Sequence, residues 1–207
     1  MNVRRLMLPV VLGLVAVLGA GCGNGPNGMM GGQTGSSTSG PNGFGGSMMG
    51  SAPHGYHMSQ LTCSAPSLPG STVHVIVGDM GMTSMMGGVA PLGGHMMMRA
   101  FPDSVAAGQV TFVVGNMGWR THEMVVLPLA PGQAAGQRTP GSDGRIDETG
   151  SLGEASASCA AGSGDGIKSG TVGWVPLNLP AGHYELVCNL RNHYANGMHQ
   201  AFVVTAH

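Results

Sequence analysis

Three side chains with soft donor atoms lie close together near the C-terminus, and they constrain the fold more than any other feature. Cys188, His193 and Met198 follow the spacing Cys-x4-His-x4-Met. A thiolate, an imidazole and a thioether on one short loop need one more imidazole to complete a trigonal His2Cys site with a weak axial Met, the ligand set of blue copper. The rest of the chain must therefore supply one histidine and a rigid frame that brings it to this loop.

The residue pattern of the chain predicts strands. Apolar residues alternate with polar ones in short runs that Gly, Pro, Asn and Asp separate, and no long helical period is visible. The clearest runs are Thr72–Val77, Val110–Asn116, 122–126, 184–188 and 202–204, with a weaker one over Met96–Phe101. The pattern predicts an all-β domain, most simply a Greek-key sandwich.

His122 is the candidate for the missing ligand. It precedes Cys188 by 66 residues and begins an apolar strand, on the face that it shares with Met124. Cys188 ends its own strand on an apolar face, so both side chains are expected to point into the sandwich. Two strands and one loop could thus hold four ligands in place before a metal arrives: His122, Cys188, His193 and Met198.

These residues resemble those of the cupredoxins, a family of blue copper proteins. The run Gly182–Cys188, followed by His193, Met198 and an aliphatic strand, is similar to the C-terminal signature of the family, and the four-and-four spacing is closest to the rusticyanin, auracyanin and sulfocyanin group. The resemblance covers about residues 71–207. It implies one type 1 copper ion and electron transfer with redox protein partners. It also implies a ligand set of His122, Cys188 and His193, with Met198 axial.

Two positions depart from the family pattern. Glu123 stands where many members have an Asn that follows the first histidine ligand and ties the two ligand loops together. Arg191-Asn192 stands where many members have Pro-Gly before the second histidine. Neither change removes a ligand, but the second predicts a more polar surface at the place where electrons enter.

The N-terminus is typical of an exported lipoprotein. Arg4 and Arg5 precede an apolar run over 6–18 that is too short to span a bilayer. The run ends in Leu-Gly-Ala-Gly-Cys22, which resembles a bacterial lipobox, and ordinary signal cleavage nearby is the alternative. We expect residues 1–21 to be a signal peptide, Cys22 to carry the lipid, and the protein to be anchored on the extracytoplasmic side of the cell membrane, the periplasmic side in a cell with two membranes.

Composition divides the rest of the chain. Twelve of the thirty residues 21–50 are glycine, so we expect 22–70 to be a flexible linker rich in Gly, Ser and Met. The cupredoxin-like domain then spans 71–207, with a long surface insertion over about 131–170 that has room for a short helix. With Cys22 assigned to lipid and Cys188 to metal, Cys63 and Cys159 are left as a possible disulfide in an exported protein.

Charge and motifs exclude several function classes. Removing residues 1–21 leaves six basic against nine acidic residues, and no basic patch for nucleic acid is present. Multicopper oxidases need His-x-His pairs, and binuclear copper centres need two cysteines on the ligand loop; this sequence has neither. We therefore expect a monomeric electron carrier and no enzyme.

One alternative function stays open at this point. The chain contains 17 methionines, many of them in a Met/His series over 29–58 and 80–98. Thioethers favour Cu(I), so the protein could instead be an extracytoplasmic copper carrier or sensor. The competing interpretation is that these methionines fill a flexible tract and adaptable surfaces without binding metal.

Overall fold

A computed structural model describes residues 59–80 and 89–206 of the chain. Within these ranges the chain forms nine strands and one short 3-10 helix, Tyr194–Asn196. The strands are β1 (Ser71–Met80), β2 (His95–Phe101), β3 (Ser104–Ala106), β4 (Gly108–Asn116), β5 (Met124–Pro128), β6 (Gly153–Ala155), β7 (Val172–Leu179), β8 (Gly182–Val187) and β9 (His199–Thr205).

The strands build two sheets, which confirms the predicted all-β class. One sheet has the order β2-β1-β4-β7, and the other has the order β3-β9-β8-β5-β6. β1 pairs with β4 in parallel and β3 pairs with β9 in parallel, whereas the remaining pairs are antiparallel. In the described part of the chain, no helix is long and apolar enough to cross a membrane.

The main core lies between the two sheets. Alternate residues of β4, among them Val110, Phe112 and Val114, are fully buried, as the alternating pattern predicts. Phe112 meets Phe202 of β9 edge to face, with the ring centroids 5.1 Å apart. Aromatic pairs of this geometry add to the gain from burial alone, so this contact fastens one sheet to the other.

Residues 59–70, which the sequence assigns to the linker, lie against the first sheet. The hydroxyl of the buried Thr111 donates to the Pro69 carbonyl at 2.8 Å, and the backbone N–H of Thr62 donates to the Gly170 carbonyl at 2.8 Å. The structure also joins Cys63 to Cys159 in a disulfide. This segment therefore covers part of the outer face of the first sheet and is bonded to the insertion.

The insertion packs on the outer face of the second sheet. Its Ile146 joins Tyr194 of the ligand loop in a small second core against three sheet residues, Val125, Leu127 and Val187. The stretch 131–170 contains turns and the short strand β6, and the short helix for which the sequence left room does not form there. The insertion is thus part of the packed domain.

The sequence pattern did not predict β3, β6 and β7, and the longest of these three strands is β7. It carries Gly173 and Pro176, two residues that weaken a strand assignment. Pro176 is tolerated because β7 lies at the edge of the first sheet, where its one ladder is with β4. The isolated bridge on its other side joins Trp174 to Ala161 of the insertion and does not involve Pro176.

Part of the Met/His series can be placed. Met98 of β2 is fully buried in the main core, and Met96 packs against that core. These two thioethers fill space between the sheets. The signal peptide 1–21, Cys22 and the series over 29–58 lie outside the described residues.

Candidate metal centre

Four elements bring the predicted ligands to one end of the sandwich. His122 forms an isolated bridge with Ile167 just before β5, and Cys188 directly follows β8. His193 and Met198 flank the 3-10 helix that connects this end of β8 to β9. The antiparallel pairing of β8 with both β5 and β9 places all three segments side by side.

The donor atoms converge without any metal. Nδ1 of His122 lies 3.2 Å from Nδ1 of His193, and the latter lies 3.3 Å from Sγ of Cys188. The three atoms all lie within 4.8 Å of one another. His122, Cys188 and Met198 are fully buried, and only 5% of the His193 surface is exposed.

The three donors suit a soft metal ion. Burial raises the pKa of the Cys188 thiol, and the nearby Glu123 carboxyl adds to the effect, so a metal must displace the proton to obtain the thiolate. Burial lowers the pKa of His193 to about 3, with a further contribution from His122, so its imidazole is neutral and holds a free lone pair. Neutral imidazoles and a thiolate fit copper, as the predicted His2Cys set requires.

Met198 closes the same loop. Its backbone carbonyl accepts a hydrogen bond from the N–H of Cys188 at 3.0 Å, and its own N–H donates to the carbonyl of His193 at 3.2 Å. Its fully buried side chain belongs to the same core cluster as Cys188. The thioether therefore lies in the same core as Cys188, and its assignment as the axial ligand rests on the resemblance.

Glu123 makes the connection between ligand loops that the family usually assigns to Asn. Its carboxyl oxygen accepts the backbone N–H of Asn189 at 3.0 Å, and its own backbone N–H donates to Sγ of Cys188 at 3.4 Å. Burial, together with the neighbouring Glu148 and Glu154, raises the pKa of Glu123 to about 7. The departure from the family pattern thus keeps the link between loops and replaces a neutral amide with an acid.

The insertion holds the ligand loop from outside. The side chain of Asn189 accepts the N–H of Ile146 at 2.7 Å and donates to the carbonyl of the same residue at 2.9 Å. The backbone N–H of Asn192 donates to the Gly144 carbonyl at 2.9 Å. Gly144 has φ +75°, and a Cβ there would collide with the Asn192 side chain, so glycine permits this close approach.

A buried ion pair supports the helix that follows His193. Glu185 is fully buried and accepts hydrogen bonds from the Arg138 guanidinium at 2.7 Å, the Gly136 N–H at 2.6 Å and the Tyr194 hydroxyl at 2.8 Å. Alternation along β8 puts Glu185 on the face opposite Tyr184, where its partners come from the insertion and from the ligand loop. No sequence motif identifies this network.

Asp79 is the second residue at the site that no motif identifies. Its Oδ1 lies 3.1 Å from Nε2 of His122 and also accepts the backbone N–H groups of Trp119 and Arg120. Burial alone would raise its pKa, but the His122 hydrogen bond and the backbone donors outweigh burial and lower the pKa to about 2. Trp119, whose backbone N–H makes one of these contacts, is 56% exposed.

Comparison with known proteins gives structural neighbours only. No family model and no curated protein sequence matches the chain. Among solved structures, it is similar to rusticyanin from Thiobacillus ferrooxidans at 20% identity, with 69% of this chain and 86% of that chain covered and a TM-score of 0.35. It is similar to auracyanin B at 18% identity, with 72% and 99% covered and a TM-score of 0.40.

A third similar structure is auracyanin A, described as a "blue" copper protein from Chloroflexus aurantiacus. It is 16% identical, with 65% of this chain and 100% of that chain covered and a TM-score of 0.40. The neighbours are thus the cupredoxins that the sequence resembles, and the His-Cys-His cluster fits a blue copper site. Because the identities and TM-scores are low, the evidence for a metal centre comes from the ligand cluster itself.

We expect the hydrogen bonds between the Asn189 side chain and Ile146 to make a measurable contribution to stability. Asn189→Ala leaves the buried N–H of Ile146 without its acceptor, so the free energy of unfolding of the metal-free protein should fall by about 2 kcal/mol in a denaturant titration. The matched control is Asn178→Ala, which removes an exposed asparagine of β7. Equal stability of the two variants would show that the Asn189 side chain does not hold the loop.

Proposed function

We propose that the protein is a blue copper protein that carries single electrons between redox partners. The observation that carries the proposal is the convergence of donor atoms of His122, His193 and Cys188 within 4.8 Å. Met198, the proposed axial ligand, is fully buried in the core cluster that holds Cys188. One copper ion bound there would supply one-electron chemistry between Cu(I) and Cu(II).

The chain holds these donors in one geometry. Glu123 connects the two ligand segments, Asn189 fastens the loop to the insertion, and the buried Glu185 fastens Tyr194. A ligand set that hardly moves between oxidation states lowers the cost of electron transfer. The same rigidity argues against the copper-carrier alternative, because hand-off needs ligands that open.

Burial of the site favours electron transfer over catalysis. Three of the four proposed ligands are fully buried, so among the described residues they expose almost no surface to a substrate. An electron, unlike a substrate, can tunnel through packed protein. We therefore propose no catalytic reaction for this chain.

His193 is the proposed electron port. It is the one proposed ligand with exposed surface, and the segment 89–94 lies beside its loop. Asn196 accepts the N–H of Gly93 at 2.9 Å and donates to the Pro91 carbonyl at 2.9 Å. Leu92, in the same segment, is 71% exposed. We propose that this segment supplies the apolar contact that Arg191-Asn192 lacks.

Export and membrane attachment rest on the N-terminal sequence. The apolar run over 6–18 and the small residues before Cys22 support lipidation of that cysteine. We propose that the linker after Cys22 tethers the domain to the extracytoplasmic face of the membrane, within reach of redox proteins there. As proposed, the protein works as a monomer.

A copper titration tests the central proposal. The purified full-length protein should develop an intense blue absorption with Cu(II), bleached by ascorbate, and an EPR spectrum with narrow copper hyperfine splitting. Cys188→Ser should abolish the blue colour, because the thiolate-to-copper charge transfer is lost. A double variant, Cys63→Ser with Cys159→Ser, removes two other sulfur atoms and should stay blue.

Two results of the titration would contradict the proposal. A Cys188→Ser variant that stays blue would mean that another residue supplies the charge transfer. Pale, weak Cu(II) binding together with tight Cu(I) binding by the unaltered chain would favour the carrier interpretation instead.

If electrons enter beside His193, a change at Leu92 should alter the electron self-exchange rate but not the absorption spectrum. Leu92→Glu places like charges opposite each other when two copies meet at this surface, so the electron self-exchange rate measured by NMR line broadening should fall by about tenfold or more. The absorption spectrum should stay unchanged, since Leu92 is not a ligand.

Phe101→Glu is the control for that measurement. Phe101 is 58% exposed. The site end of β2 is at Met96, which pairs with Asp79 of β1. Phe101 lies five residues further along the strand, or about 17 Å away. The self-exchange rate of this variant should stay near that of the unaltered protein. Equal slowing in both variants would show that electrons do not enter beside Leu92.

Lipidation is tested by mass spectrometry of the membrane-bound protein from a bacterial host. We expect a mature chain that begins at Cys22 and carries a diacylglyceryl group, and Cys22→Ala should lack that mass because no thiol is left to modify. Cys63→Ala should retain it. A mature N-terminus at another residue, without lipid, would contradict the proposal.

A further inference from the structure

One buried carboxylate oxygen collects three hydrogen-bond donors beside a proposed ligand. Oδ1 of Asp79 lies 2.8 Å from the backbone N of Trp119, 3.0 Å from that of Arg120 and 3.1 Å from Nε2 of His122. Only 6% of the Asp79 side chain is exposed. The contact crosses 43 positions in sequence, from the end of β1 to the segment that precedes β5.

The turn after β4 is shaped to receive this carboxylate. A Cβ on Gly118 would lie 2.7 Å from the backbone N of Asp79 and 2.9 Å from the Cα of Gly78, so only glycine lets the turn approach β1 so closely. The buried Asn116 holds the turn from within, because its side chain accepts the Gly118 N–H at 2.9 Å and donates to the Arg120 carbonyl at 2.7 Å. The backbone donors therefore point at Oδ1 independently of any metal.

This arrangement decides where the proton of His122 lies. A carboxylate can only accept, so the Nε2 that faces Oδ1 must donate. In a neutral imidazole the lone pair then belongs to the other nitrogen. That nitrogen, Nδ1, faces the donor atoms of His193 and Cys188.

We propose that Asp79 is a positioning residue of the copper site, which sets the His122 tautomer and strengthens Nδ1 as a donor to Cu(II). The inference rests on the proposed function. Carboxylates that accept the distal N–H of a metal-bound histidine raise the basicity of the ligand and fix its orientation. Since Cu(II) gains more than Cu(I) from a stronger donor and a nearby negative charge, Asp79 lowers the reduction potential of this site.

A purely structural role is the competing explanation. Asp79 could serve only to fasten the turn at Trp119 and Arg120 to β1. Asp79→Asn separates the two roles, because the amide oxygen can still accept the backbone N–H groups while the charge is removed. A structural role alone leaves the potential of this variant unchanged.

The first experiment measures the reduction potential of the full-length copper protein. In Asp79→Asn we expect the preference for Cu(II) over Cu(I) to fall about tenfold, which raises the potential by about 59 mV for a one-electron couple. The control is Asp103→Asn, which removes the same charge from an exposed turn and should leave the potential nearly unchanged. An unchanged or lower potential in Asp79→Asn would overturn the inference.

The tautomer of His122 can be measured without copper and without any variant. The ¹⁵N NMR spectrum of the metal-free, unaltered protein should show His122 protonated at Nε2 and unprotonated at Nδ1. The opposite tautomer would overturn the inference.

Zn(II) affinity is a further measurement that needs no copper. The affinity of the metal-free protein for Zn(II) should fall about tenfold in Asp79→Asn, and equal affinity would count against a donor-strengthening role.

These results separate the inference from the proposed function. If the unaltered protein forms no blue site yet shows the Nε2–H tautomer and the Zn(II) effect, the copper proposal fails and the role of Asp79 toward a metal stands. If the protein is blue and Asp79→Asn leaves the reduction potential unchanged, the inference fails and the proposed function stands.

Discussion

The hydrogen bond from the Asn189 N–H to the Glu123 carboxyl joins the two segments on which the site depends. One residue before Glu123 is His122, and one residue before Asn189 is Cys188, so this contact restricts the distance between the two ligands. The backbone N–H of Glu123 adds a second link by donating to Sγ of Cys188. Sheet pairing alone would not reach them, because the β5–β8 ladder ends before either ligand.

Three carboxyl groups are buried around this junction, and each is compensated differently. Asp79 receives three N–H donors on one oxygen, and Glu185 pairs with Arg138 and the Tyr194 hydroxyl. Glu123 has no cation of its own in the hydrogen bonds that the structure describes, and its pKa rises to about 7. Buried charges persist only where hydrogen bonds or opposite charges replace water. They lie at the end of the sandwich that carries the proposed metal site.

The sequence pattern predicted six of the nine described strands and missed β3, β6 and β7. Val110, Phe112 and Val114 indicate a strand by alternation, whereas Gly173 and Pro176 in β7 argue against one. A strand at a sheet edge can tolerate both residues, but the sequence does not reveal that β7 lies at an edge. The insertion looked like a surface loop because it is rich in small residues. Its packing role depends on two individual residues, Ile146 and Asn189, which no periodicity reveals.

The sequence by itself determined the chemistry: a soft Cys-His-Met set on one loop, a histidine at the start of an apolar strand, and a strand-forming domain around them. Ligand identity follows from residue type and spacing, which are local properties. Only the tertiary structure decided that these donors converge, that Glu123 joins their loops and that Asp79 faces His122. The contacts that bring these segments together join residues 43 to 71 positions apart. Their distances depend on how strands pair and turns approach, which no local pattern specifies.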